Sequence, residues 1–274
     1  IDWTPFFFTW EMRKKYPAIL EDEVFGDQAR QLLDDANKML DDIIKHNWLQ
    51  AKAVIGLWKA NSVGDDVHLF KNEKQIATYH FLRQQGKKGK ANRCLADFVA
   101  PFTSEKQDYI GSFVCTAGLG IKKQLAVFEK AHDDYNNLML KAIADRLAEA
   151  LTEYMHEKIR KEIWGYASDE AFENEDLIAE KYKGVRPAPG YTACPDHTEK
   201  LKIFELLDAE KSIGVSLTES MAMSPNATVS GYYFAHQDAK YFSVGKVQDD
   251  QIADYAKRKN MSIEQVEKWL LSNI

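Results

Sequence analysis

The stretch Arg186-Pro187-Ala188-Pro189-Gly190-Tyr191 brings together residue types able to hold a small charged ligand. Arg186 carries a planar fork of N–H donors suited to a carboxylate or a phosphate. Prolines at alternate positions fix their own backbone angle and push their predecessors toward extended conformations, so Arg186 to Pro189 reads as a rigid strap. Proline has no backbone N–H, so the strap is expected not to complete a sheet ladder and to leave its carbonyls free for other donors. Gly190 permits a sharp turn, and Tyr191 adds an aromatic face and a hydroxyl. A plain rigid loop whose arginine pairs with a nearby acid fits the same six residues.

A second candidate lies at the start, in Ile1-Asp2-Trp3-Thr4-Pro5-Phe6-Phe7-Phe8-Thr9-Trp10. So many aromatics cannot all be solvated cheaply, and Trp3, Phe6 and Phe8 are expected to cover an apolar surface. Asp2 sits alone among them, placed either to cap a turn or to hold a cation at the edge of an aromatic site. Taken with the strap, the chain offers an arginine for a carboxylate, an aspartate for an ammonium, and aromatic faces for a ring and a cation. Those are the parts of a site for a small zwitterion.

Other chemistries lack their residues. No Ser-His-Asp elbow or zinc spacing is present, and Cys194-Pro195-Asp196-His197 is a lone C-x-x-H. The loop Gly86-Lys87-Lys88-Gly89-Lys90 lacks the phosphate-loop spacing. Gly118 and Gly120 follow a strand, but Lys123 stands where a dinucleotide fingerprint needs its third glycine, and no parallel βαβ rhythm surrounds them.

The elements that must position these residues read as one α+β domain over 1–274, with a mainly antiparallel sheet and several helices, including a long central one. Phe25, Ala29, Leu32, Ala36, Met39 and Ile43 make a helical stripe between Glu21 and His46. Strands follow at Ala53 to Trp58, Val67 to Phe70, Ile76 to Phe81 and Tyr109 to Cys115, with turn chemistry from Asn61 to Asp66. Helical spacing runs from Lys122 to Trp164, with a break near Asp133. A short acidic helix falls within Ser168 to Tyr182, and Asp196 to Lys211 reads as another helix. Leu217 to Met221, Thr228 to Ala235 and Lys240 to Val247 alternate like a meander, and two short helices close the chain. The last begins with Ser262 and Gln265 in capping-box positions.

With 274 residues, 45% of them hydrophobic and 28% charged, the chain can bury a substantial core. A net charge of -6 argues against nucleic acid as the partner. No apolar run approaches the roughly 20 residues a membrane span needs. The chain opens on Ile1 with no basic-then-apolar leader, so no signal peptide is visible, and the missing initiator Met fits a piece of a longer polypeptide. Cys94, Cys115 and Cys194 are odd in number and far apart, as expected of free thiols in a reducing compartment.

Several segments in family order then carry a resemblance. They are Asp2 to Phe7, Leu82-Arg83-Gln84-Gln85, Cys94 to Pro101, His132 to Asn136, Ala144 to Ala150, Arg186 to Tyr191 and Leu217 to Ser220. In these the chain resembles the C-terminal activation domain of cobalamin-dependent methionine synthase. The resemblance implies a cytoplasmic module of a larger methyltransferase. Such a module binds S-adenosylmethionine and serves a cobalamin held by a neighbouring cobalamin-binding domain. It implies rescue of oxidised cob(II)alamin with an electron from a flavodoxin-type donor and a methyl group from S-adenosylmethionine. The implied contacts fall on Asp2 for the amino group, Arg186 for the carboxylate and Ala188 for adenine. Tyr191 and the pair Tyr241-Phe242 supply aromatic faces. Phe242 departs from the tyrosine often found there, losing a hydroxyl. A module that caps cobalamin without using S-adenosylmethionine stays open as an alternative, as does a self-contained methyltransferase. The missing glycine-rich βα turn counts against the latter.

Overall fold

The computed structural model describes residues 1–86, 89 and 91–274. The basic loop at 86–90 therefore has Lys87, Lys88 and Lys90 outside the described residues. The chain divides into two compact units. One is made of Ile1–Ala53, Cys115–Glu157 and Ile213–Val229, the other of Val54–Val114, Lys158–Ser212 and Ser230–Ile274.

Five strands share a sheet: β1 (Gln50–Val63), β2 (Asp66–Lys71), β3 (Lys74–His80), β4 (Asp108–Leu119) and, after two short strands, β7 (Thr228–Tyr233), in the order β3-β2-β1-β4-β7. The short strands β5 (Ser216–Leu217) and β6 (Met223–Ser224) pair antiparallel with each other. The hairpins of β1 to β3 are antiparallel and turn on two residues each. Val63 pairs with Asp66 around Gly64 (φ 60) and Asp65, so Asn61 and Ser62, expected in the turn, belong to the strand. Lys71 pairs with Lys74 around Asn72 (φ 50) and Glu73 (φ 62), the positive angles that a primed turn requires.

In the first unit, α1 (Thr4–Thr9) starts with Pro5 in the first turn, where a missing N–H costs nothing. Phe6 and Phe7 are fully buried, whereas Phe8 is 48% exposed, so Phe7 takes the covering role expected of Phe8. They pack with Ala29, Leu32, Ala36, Met39 and Ile43 of α2 (Gly26–His46), the expected stripe without its first member, Phe25, which is exposed. The break near Asp133 separates α3 (Ile121–Lys130) from α4 (Asp134–Lys158). His132 adopts φ 53 there, and the Asp133 carboxylate accepts the Asn136 N–H at 3.0 Å, capping α4. α4 is the long helix of the fold, and the π-turn Ile159–Ile163 that follows it in the chain belongs to the second unit. No described helix is long and apolar enough to cross a membrane.

In the second unit the short helix α5 (Asn174–Ile178) precedes the strap. The helix expected over Asp196 to Lys211 is two, α6 (Glu199–Leu207) and α7 (Ala209–Ile213), because Asp208 turns to φ 45 between them. The closing helices are α8 (Asp249–Lys259) and α9 (Ile263–Trp269). The reciprocal Ser262–Gln265 capping box is formed. The expected third strand of the meander, Lys240 to Val247, is irregular. Its Val244 and Val247, three apart, are the buried residues, a spacing no strand keeps on one face, and Gly245 (φ 74) breaks the extended run.

Candidate functional site

The strap lies along β7. Val185 N–H donates to Phe234 O and Val185 O accepts from Phe234 N–H, both at 3.0 Å, and Pro187 O accepts from Tyr232 N–H at 2.9 Å. The expectation that the strap's carbonyls stay free is therefore corrected. Along an extended chain the backbone groups of alternate residues point to opposite sides. Pro187 falls where only its acceptor is used. Gly231 of β7 makes this approach possible, since a Cβ there would lie 2.6 Å from Pro187 O. Val185, Pro187 and Pro189 are buried, while Arg186 and Ala188 are half-buried with their backbone groups turned away from β7.

The strap ends in a tight turn. Ala188 O accepts from Tyr191 N–H at 3.2 Å, with Pro189 and Gly190 (φ 93) in the places a type II turn reserves for them. Gly190 N–H then donates to Cys194 O at 2.7 Å. Tyr191 projects at the tip, 69% exposed, and the Ala188 N–H has no partner among the described residues.

A second segment is fastened to this turn. Tyr241 Oη accepts the Arg186 backbone N–H at 3.1 Å. Thr192 Oγ1 donates to Phe242 O at 3.2 Å, Val244 N–H donates to Thr192 O at 2.8 Å, and Gln84 Nε2 donates to Ser243 O at 2.7 Å. The second unit thus brings Arg186, Ala188, Tyr191, Tyr241 and Phe242 together. Burial raises the Tyr241 hydroxyl above its usual pKa, with Arg186 opposing. Phe242 is half-buried, edge-on to Phe98 at 6.4 Å and packed on the cluster of Leu82, Val244 and Ile252, so its ring works mainly as a support. Asp2 belongs to the first unit, where its Oδ1 accepts the Thr4 N–H at 2.9 Å. The turn-capping role is therefore filled.

Residues that the sequence did not single out surround Arg186. Its Nη1 donates to Tyr182 Oη at 2.6 Å. Arg160, fully buried on the π-turn, lies over the Tyr182 ring at 4.3 Å and its Nε donates to Glu170 Oε2 at 2.7 Å. Their only sequence signal was an arginine at the end of a long helix and a Tyr-x-x-x-Arg spacing that means little in a loop. The Leu82-to-Gln85 and Cys94-to-Pro101 motifs serve as joints. Arg83 forks onto Asp97 at 2.9 and 2.7 Å and Gln251 grips the Arg83 backbone from α8. Cys94, Cys115 and Cys194 are buried thiols outside any disulfide, and burial pushes the Cys94 thiol up to about 12, so these are packing residues.

A family model described as vitamin B12 dependent methionine synthase, activation domain, matches residues 1–260. A crystal structure of the MetH reactivation domain bound to AdoHcy aligns with a TM-score of 0.97 and 55% sequence identity, over 100% of this chain and 86% of that one. The chain belongs to the family of vitamin B12-dependent methionine synthase activation domains.

Proposed function

We propose that this chain binds S-adenosylmethionine and supports the reductive methylation of oxidised cob(II)alamin, returning a cobalamin-dependent methionine synthase to its working cycle. The observation that carries the reading is the strap. It is rigid, pinned to β7 on one side, and turns Arg186 and the Ala188 N–H, which has no partner among the described residues, to the other. AdoHcy, the ligand of the similar crystal structure, is what S-adenosylmethionine becomes once its methyl group has left.

The residues present fit the ligand. The Arg186 fork suits its carboxylate, the outward Ala188 N–H suits an adenine nitrogen, and Asp2 is assigned its ammonium. The exposed faces of Tyr191 and Tyr241 suit the sulfonium, each cation–π contact being worth about 1–2 kcal/mol when partly dry. No general base is required, because bound cobalamin supplies the metal chemistry. What this chain contributes is placement of the methyl donor at an accessible surface, a proximity effect.

The cobalamin belongs to a neighbouring domain of the same cytoplasmic enzyme, with a flavodoxin-type protein as electron donor. The sites for zinc, homocysteine and methyltetrahydrofolate belong to other modules. A capping module that ignores S-adenosylmethionine is disfavoured by the outward-turned strap. The test is calorimetric titration of S-adenosylmethionine into this chain and its Arg186→Ala variant. Binding weakened by about 2–4 kcal/mol in the variant, with the fold intact, is expected. No binding by the wild type, or equal binding by both, refutes the reading.

A further inference from the structure

We propose that Tyr182 is a positioning residue for Arg186: it fixes the guanidinium in the orientation that receives a ligand carboxylate. The inference rests on the S-adenosylmethionine reading above. Arg side chains carry large rotamer entropy, so an unsupported arginine on a loop surrenders much of that freedom on binding. Here the freedom is already spent. Tyr182, 7% exposed, takes one Nη1 hydrogen at 2.6 Å, and the Arg186 guanidinium carbon stands 5.8 Å from the centre of its ring. A guanidinium has five N–H donors, and a carboxylate gripped by two of them leaves the tyrosine its own.

Tyr182 is itself held from behind. The Arg160 guanidinium lies on its ring at 4.3 Å, and Arg160 is tied to Glu170. The second Glu170 oxygen accepts the Lys183 N–H at 2.9 Å, one residue beyond the tyrosine. Glu170, Arg160, Tyr182 and Arg186 thus form a stack running from the buried π-turn to the strap. A π-turn widens the helix locally and re-aims the side chains it carries. Arg160, on that turn, points at a loop tyrosine.

The experiment titrates the wild-type chain and Tyr182→Phe with S-adenosylmethionine and with its decarboxylated analogue. Tyr182→Phe keeps the ring and the Arg160 stack and removes the hydroxyl that accepts from Arg186 and also bonds the Tyr241 side chain. The expected result is a loss of about tenfold for S-adenosylmethionine, the order of one charge-assisted hydrogen bond, with no change for the decarboxylated analogue and an unchanged melting midpoint. In an Arg186→Ala background the same substitution should cost nothing more. Equal losses for both ligands, a full loss without Arg186, unchanged affinity, or an unfolded Tyr182→Phe chain would each overturn the proposal. A wild-type chain that binds neither ligand removes the S-adenosylmethionine reading and this inference with it. Binding by the wild type with an indifferent Tyr182→Phe removes the inference alone.

Discussion

Gly190 and His197 are in direct contact at the tip of the strap: a Cβ on Gly190 would fall 2.1 Å from Cε1 and 2.4 Å from Nδ1 of the imidazole. Gly190 also holds φ 93, which side chains rarely adopt. Gly190→Ala should therefore destabilise by about 2–4 kcal/mol, combining backbone strain with overpacking. Adding His197→Ala should recover the overpacking part and leave the backbone part. Urea unfolding of the four chains measures both, and full recovery in the double variant would deny the strain.

A buried charge cluster gives the second prediction. Lys259 Nζ lies 2.6 Å from Asp196 Oδ2, 2.6 Å from Glu199 Oε1 and 2.7 Å from Thr198 Oγ1. Burial alone would raise the Asp196 carboxyl, but Lys259 holds it below the usual range. Burial would lower Lys259, but Glu199 and Asp196 raise it. Asp196 is depressed on folding, so its contribution is complete above the unfolded value of about 3.9 and is lost as pH falls through the lower folded value. Lys259 is raised on folding, so its contribution is complete below about 10.4 and is lost as pH rises through the folded value. Stability should form a plateau between those limits. Lys259→Met strands two buried carboxylates and should cost about 3–5 kcal/mol at neutral pH, with the loss shrinking in acid. A loss independent of pH would refute this account.

Asp2→Asn separates ligand binding from packing. An asparagine oxygen can still accept the Thr4 N–H, so the cap survives and the melting midpoint should stay near wild type. Losing the negative charge should weaken S-adenosylmethionine binding by about 1–3 kcal/mol. In a full-length enzyme the first turnovers should be normal, and activity should decline as oxidised cobalt accumulates. Failure in the very first turnovers would place Asp2 in the main cycle instead.

The N-terminal aromatics are unequal. Phe7→Ala should cost about 3–5 kcal/mol because the ring is fully buried, whereas Phe8→Ser should change stability by less than about 1 kcal/mol. Paired thermal melts decide it, and a larger loss at Phe8 would contradict the packing.

What the sequence made legible follows from the range of each interaction. The α2 stripe from Ala29 to Ile43, the Asp133 break and the Ser262–Gln265 box depend on residues a few positions apart, and all three stand in the fold. Lys240 to Val247 alternates like a strand yet is irregular because its backbone is held by Thr192, Asn273 and Gln84, partners that no local pattern displays. The strap was legible as rigid, because proline acts on its own neighbours. Its docking on β7 was not, because the space that admits Pro187 is provided by Gly231, far along the chain. The roles of Tyr182 and Arg160 are not legible for the same reason: their meaning lies in a stack assembled across a loop and a helix end.

The prolines also make the strap a sparse reporter of amide hydrogen exchange. Between Val185 and Tyr191 only Val185, Arg186, Ala188, Gly190 and Tyr191 carry an amide proton. Four of these are engaged, by Phe234 O, Tyr241 Oη, Cys194 O and Ala188 O respectively. Ala188 alone has no acceptor among the described residues, so its deuterium uptake should be fast in the free chain. A ligand whose adenine takes that proton would slow one amide in the whole strap, and the occupancy of the site could be followed at a single atom.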